Sequence, residues 1–117
     1  MGSVITSIKE RVALVRFDRG GKANALDSAL IGALEAEARK LARNPEVDVV
    51  VLTGTGEIFA AGVDLRDDAL WQPGAPDVTR HLAMGAGGRM TEAWRRLPQP
   101  VLVAIEGPAI GGGAILA

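Results

Sequence analysis

Two short turns carry the residues best suited to chemistry: Phe59-Ala60-Ala61-Gly62-Val63-Asp64-Leu65 and Gly107-Pro108-Ala109-Ile110-Gly111-Gly112-Gly113. Each follows an apolar run of strand length. Glycine lets a backbone approach a ligand closely because no Cβ intervenes, and a turn opening into a helix leaves unpaired N–H groups at the positive end of the helix dipole. Two such turns meeting at one point would offer two backbone N–H groups to a single oxygen, an arrangement that stabilises an oxyanion.

Other glycine-rich sites fit less well. A dinucleotide fingerprint fails because Phe59 occupies the third glycine position after Gly54 and Gly56. A phosphate loop fails at Gly113 and Ala114, which stand where a lysine and a hydroxyl would hold phosphate and magnesium. The single histidine, His81, has neither a nucleophile pattern nor a second metal ligand near it and reads as a structural residue. Met84 and Met90 read as core fillers. For Asp64, a helix N-cap and a direct ligand role both stay open.

The 117 residues are 48% hydrophobic and 23% charged, which suits one domain with a real core. The absence of cysteine excludes disulfides, thiolate nucleophiles and zinc–thiolate sites. A net charge of −1 and 3% aromatic content argue against a nucleic-acid surface, and Arg95-Arg96 is too small a patch to change that. The N-terminus lacks a basic segment followed by an apolar run. Apolar stretches fall short of the ~20 residues that span a bilayer. The expectation is a soluble cytoplasmic protein without a membrane partner.

The elements that must position the two turns follow from periodicity. Val12 to Phe17 reads as a strand, closed by Asp18-Arg19-Gly20-Gly21. Leu26, Leu30, Leu34, Ala38 and Leu41 predict a helix, with Asp27 or Ser28 as N-cap, Arg39, Lys40 and Arg43 in its last turn, and Pro45 beyond it. Val47 to Leu52 is an almost continuous apolar run, as in a parallel strand covered on both faces, so a right-handed crossover is expected. Asp67 to Pro76 reads as a polar loop containing Trp71. Val78, Leu82, Met90, Trp94 and Leu97 predict an amphipathic helix over 77–97, weakened by Gly85, Gly87 and Gly88. Val101 to Ile105 predicts a second buried strand, and Gly111 to Ala117 an apolar helix start. That start has no cap or polar tail, so residues 1–117 are expected to be the N-terminal part of a single larger domain.

Four segments, in this order, resemble the enoyl-CoA hydratase/isomerase, or crotonase, superfamily. They are Lys22-Ala23-Asn24-Ala25-Leu26, Val49-Val50-Val51-Leu52-Thr53-Gly54, Phe59 to Leu65, and Pro100 to Gly113. The resemblance implies an α/β fold, a spiral of ββα units whose perpendicular sheets enclose an acyl-CoA thioester, packed as a homotrimer or a pair of trimers. It makes Val63 and Gly112 the N–H donors of an oxyanion hole, where loss of one donor typically costs about 2.7–4 kcal/mol of transition-state stabilisation. It assigns Lys22, Ala23, Ala25, Ala61, Asp64 and Leu65 to the CoA channel, with adenine against the Ala61-to-Leu65 turn. Lys22 or Arg66 would then meet phosphate or remain a solvated cation. No separate cofactor is implied, coenzyme A being part of the substrate.

The sequence departs from the family at one position. Family hydratases carry a glutamate two residues after the third glycine, and Ile115 stands there. The resemblance therefore implies an acyl-CoA-processing enzyme, with two-carboxylate hydration in question and chemistry through one acid beyond Ala117 open. The alternative is a non-catalytic CoA-binding or oligomer-building module of the same fold. An unrelated α/β domain, whose glycines only pack helices on strands, is a third reading.

Overall fold

The computed structural model describes residues 2–20 and 23–117, and only the backbone of Met84. Strands β1 (Ser3–Lys9), β2 (Val12–Asp18), β3 (Val49–Gly54) and β4 (Val101–Ala104) form one sheet in the order β1-β2-β3-β4. Helix α1 (Ser28–Ala42) links β2 to β3, and α2 (Asp68–Trp71), α3 (Asp77–Met84) and α4 (Ala86–Arg95) lie between β3 and β4. A short α5 (Gly112–Leu116) follows β4.

The β2–β3 and β3–β4 pairs are parallel, in agreement with the strand–helix–strand reading. Ala13, Val15 and Phe17 on β2 stand opposite Val50, Leu52 and Gly54 on β3, so one face of the sheet is a continuous apolar surface. It packs with Leu30, Ile31, Leu34, Ala38 and Leu41 of α1 and with Met90 and Trp94 of α4. Each fully buried large apolar side chain contributes about 1.5–3 kcal/mol. Phe17 and Phe59 meet edge to face at 5.2 Å, which ties the sheet to the first glycine turn.

Helix α1 begins where its capping chemistry dictates. Asp27 is the N-cap, its carboxylate accepting from the Leu30 N–H at 2.8 Å. Leu26 stands before the helix, outside the 3.6-residue repeat, and is buried by pairing with the first glycine turn instead.

Several expectations needed correction. Strand β1 was not anticipated: its Ser3-to-Lys9 sequence alternates polar and apolar residues poorly. The β1–β2 hairpin also turns through Glu10 and Arg11, both at positive φ, without the Asn-Gly signal such turns usually carry. The predicted second buried strand, β4, is an edge strand with Leu102 exposed and its neighbours half-buried. Its apolar run recorded β-propensity and not depth of burial. The predicted 77–97 helix divides at Gly85 into α3 and α4, and the apolar stripe changes character there. Met90 and Trp94 are buried while Val78 and Leu82 are 73% and 60% exposed, because no described element packs on α3 from that side. The polar loop contains the helix α2, capped by Asp67.

Candidate functional site

Three segments lie side by side at the end of the sheet: 23–26, 59–64 and 108–112. The central one is held on both edges. On one side the Ala61 N–H donates to the Ala23 carbonyl at 3.0 Å, the Leu26 N–H to Gly62 at 2.7 Å, and the Asp64 N–H to Leu26 at 2.9 Å. On the other, the Phe59 and Ala60 N–H groups donate to the Pro108 carbonyl and the Ile110 N–H donates to Ala60.

This pairing decides where Val63 points. In a parallel bridge the residues before and after the bridged one make the hydrogen bonds, so the N–H of Val63, bridged to Leu26, is turned to the opposite edge. That edge is where Gly112 opens α5. A Cβ at Gly112 would lie 3.8 Å from the Val63 nitrogen, and one at Gly62 would lie 3.8 Å from the Gly112 nitrogen. Glycine is needed at 62, where φ is +100° and a Cβ would stand 3.0 Å from the Ile110 carbonyl oxygen, and at 112 a Cβ would crowd Val63 Cγ2 at 3.3 Å. Neither N–H donates to any acceptor among the described residues. Gly113, the next residue, fixes the approach: a Cβ there would stand 2.5 Å from the Ala60 carbonyl oxygen.

Val63 and Gly112 both line a cavity of about 270 Å³, together with Leu26, Ile31, Met90, Thr91, Ile115 and glycines 87 and 88. A smaller one of about 80 Å³, walled by Ile31, Val63, Leu70, Trp71 and Gly87, adjoins it through shared residues. The larger lining holds no carboxylate or imidazole. Its one hydroxyl, Thr91, donates to the Gly88 carbonyl at 3.0 Å. Backbone N–H groups are thus the polar feature available to a ligand oxygen, and the remaining wall suits a hydrocarbon.

Behind the first turn lies a set of buried polar side chains. The Asn24 amide donates to the Thr55 and Ile58 carbonyls at 2.8 Å each and to Phe59 at 3.2 Å, and its oxygen accepts from the Arg19 N–H at 3.0 Å. Arg19, only 7% exposed, donates to the Ala25 carbonyl at 2.7 Å and reaches Asp64 at 3.3 Å and Asp27 at 3.4 Å. The Asp64 carboxyl is held below the ordinary carboxylate range, first by the Arg66 N–H and then by the Arg19 guanidinium, with burial opposing. Asp67 is lowered chiefly by the Ser28 N–H, which it accepts at 2.6 Å.

Residues 7–117 match the family model described as Enoyl-CoA hydratase/isomerase. The chain belongs to the enoyl-CoA hydratase/isomerase family. It is 32% identical over 120 residues to the 2,3-dehydroadipyl-CoA hydratase of Escherichia coli (strain K12), covering 100% of this chain and 44% of that protein. It is 33% identical over 119 residues to the mitochondrial Delta(3,5)-Delta(2,4)-dienoyl-CoA isomerase of Homo sapiens, covering 96% and 36%. The crystal structure of enoyl-CoA hydratase from Bacillus anthracis superposes with a TM-score of 0.84 at 32% identity, over 97% of this chain and 43% of that one. The fold is the crotonase fold, and the chain spans less than half the length of these relatives.

Against that family background, the structure brings together most of the residues singled out from sequence. Val63 and Gly112 are neighbours across the gap, both half-buried. Ala23, Ala25 and Ala61 are half-buried along the paired segments, and Leu65 is 81% exposed beyond them. Arg66 is exposed on the same turn, and Lys22 lies outside the described residues. Asp64 does not cap a helix. Its carboxylate closes a tight turn on the Arg66 N–H at 2.9 Å and receives Arg19, while Asp67 caps α2. His81 is exposed on α3.

Two residues of the site region escaped the sequence reading. In the sequence Arg19 reads as part of a turn signal, and Asn24 carries no chemical pattern of its own. The available signal was an asparagine amid small residues, since Ala23 and Asn24 both sit at φ +52°, a conformation asparagine tolerates better than most. Gly87 and Gly88 read as helix weaknesses, yet they form part of the cavity wall.

Proposed function

We propose that this chain supplies the oxyanion hole and part of the CoA channel of an acyl-CoA-processing enzyme. The observation that carries the reading is a pair of backbone N–H groups, Val63 and Gly112, which have no acceptor among the described residues and belong to neighbouring residues lining one apolar cavity. Two fixed donors favour the oxygen of a thioester enolate over the ground-state carbonyl, because negative charge grows there in the transition state. The acyl chain occupies the cavity, and coenzyme A runs along Lys22, Ala23, Ala25, Ala61, Asp64 and Leu65. Family hydratases and isomerases both use such an enolate, so the reading covers either outcome.

A second reading, a CoA-binding module without turnover, draws on the cavity wall, which contains no acid or base. Calorimetric titration with acyl-CoAs and with the matching free acids tests binding in both readings. Tighter binding of the thioesters is expected, and equal or absent binding overturns the assignment. Turnover separates the two. Val63→Ala retains the N–H and is expected to leave turnover nearly unchanged, whereas Val63→Pro removes the donor and is expected to lower it by about 10²–10³-fold. A thioester-binding protein inert toward every acyl-CoA tried would favour the module.

A further inference from the structure

Among the described residues Arg19 is the buried cation of the site region, and it joins both sides of the pairing that orients Val63. One guanidinium nitrogen donates to the Ala25 carbonyl at 2.7 Å, on the segment that ends in Leu26. Both terminal nitrogens reach Asp64 Oδ2 at 3.3 Å, on the residue that follows Val63. The same group lies 3.4 Å from Asp27, the N-cap of α1. Leu26 and Val63 are the bridged pair between these anchor points. The guanidinium therefore clamps the bridge from one end, while the indole N–H of Trp71 holds the Asp64 carbonyl at 3.0 Å from the other.

We infer that Arg19 is a positioning residue, whose contacts to Ala25, Asp27 and Asp64 fix the direction of the Val63 N–H toward a substrate carbonyl. The inference rests on the oxyanion-hole reading above. A planar group whose two terminal nitrogens both reach Asp64 Oδ2, while one of them also donates to the Ala25 carbonyl, is something lysine cannot reproduce, since its ammonium is a point charge on a flexible stem. Arg19→Lys thus keeps the charge between Asp27 and Asp64 and loses the fixed angle. A tilt of the N–H acts on the transition state, where charge grows on the carbonyl oxygen, more than on ground-state binding.

The test compares wild type, Arg19→Lys and Val63→Pro by steady-state kinetics per folded molecule and by isotope-edited infrared spectroscopy of a bound acyl-CoA. The thioester C=O stretch reports how strongly the two N–H groups polarise the carbonyl. Arg19→Lys is expected to lower kcat by about 10–10²-fold. KM should stay within about 3-fold, and the carbonyl stretch should move back toward its value in water. Asp64→Asn is the second route should Arg19→Lys fold poorly. It is isosteric, keeps an acceptor for the Arg66 N–H, and turns a donor against the guanidinium. The same loss of kcat and polarisation is expected of it. An unchanged kcat and stretch in the folded variants, with Val63→Pro changing both, overturns the role of Arg19 alone. A stretch insensitive to Val63→Pro overturns both readings.

Discussion

Ile115 is the residue whose side chain says most about the reaction. It lines the cavity beside Gly112, 72% exposed, at the position where family hydratases carry a glutamate. A branched hydrocarbon there cannot move a proton, and a general acid or base typically contributes about 10²–10⁴-fold. Hydration of crotonyl-CoA, followed by loss of the enoyl absorbance, is expected to be slower by about that factor than in a dedicated hydratase. An ordinary hydratase rate would show that water is activated elsewhere. Val63 and Gly112 make the complementary point: in the proposed oxyanion hole each contributes a backbone N–H, so the Val63 side chain would matter mainly as packing, its Cγ2 3.3 Å from a Cβ placed at Gly112.

At the scale of elements, Asn24 does for the first turn what a strand would otherwise do. The 55–59 loop returns toward the sheet with three carbonyls, Thr55, Ile58 and Phe59, directed at a single amide. Asn24→Ala removes their donor and leaves the Arg19 N–H without its acceptor. A buried polar group left unpaired costs about 1–3 kcal/mol, so a loss of at least that size is expected in the urea unfolding midpoint. A loss below a few tenths of a kcal/mol would mean that water replaces the amide. The loop is connected to α5 through Gly113, where any Cβ would press on Ala60. Together Asn24 and Gly113 set the distance between the two glycine turns from opposite sides.

Across the whole molecule, two carboxylates couple the site to pH. Asp64 and Asp67 both ionise more readily when folded, the first held by the Arg66 N–H and Arg19, the second by the Ser28 N–H. Their folded pKa values therefore lie below the unfolded value of about 3.9, and the stability they confer is complete above it. It is lost as pH falls through the folded values. Urea midpoints measured from about pH 6 down to about pH 3 should decline, and Asp64→Asn with Asp67→Asn should flatten the acid end of that curve. An unaltered slope would place the sensitivity on other carboxylates. Glu92, lowered to about 2 by Arg95 and Arg96, sits on an exposed helix face where solvent screens the pairs, so its share is small.

The sequence by itself determined the elements with strong periodicity: β2, the buried stripe of α1 with a cap at Asp27 or Ser28, the apolar β3, and the two glycine turns that mark the family. These are local properties, written in spacing and in the conformations glycine permits. Only the tertiary structure decided the rest. Strand β1 exists because β2 offers it an edge, while Val78 and Leu82 stay exposed because nothing described packs on them. The proximity of Val63 and Gly112 required three segments distant in sequence to pair. Arg19 acquired its role only when Ala25, Asp27 and Asp64 converged on it. A turn arginine followed by glycine reads as solvated until the fold brings two carboxylates to it, since burial of a cation is tolerated only with such partners.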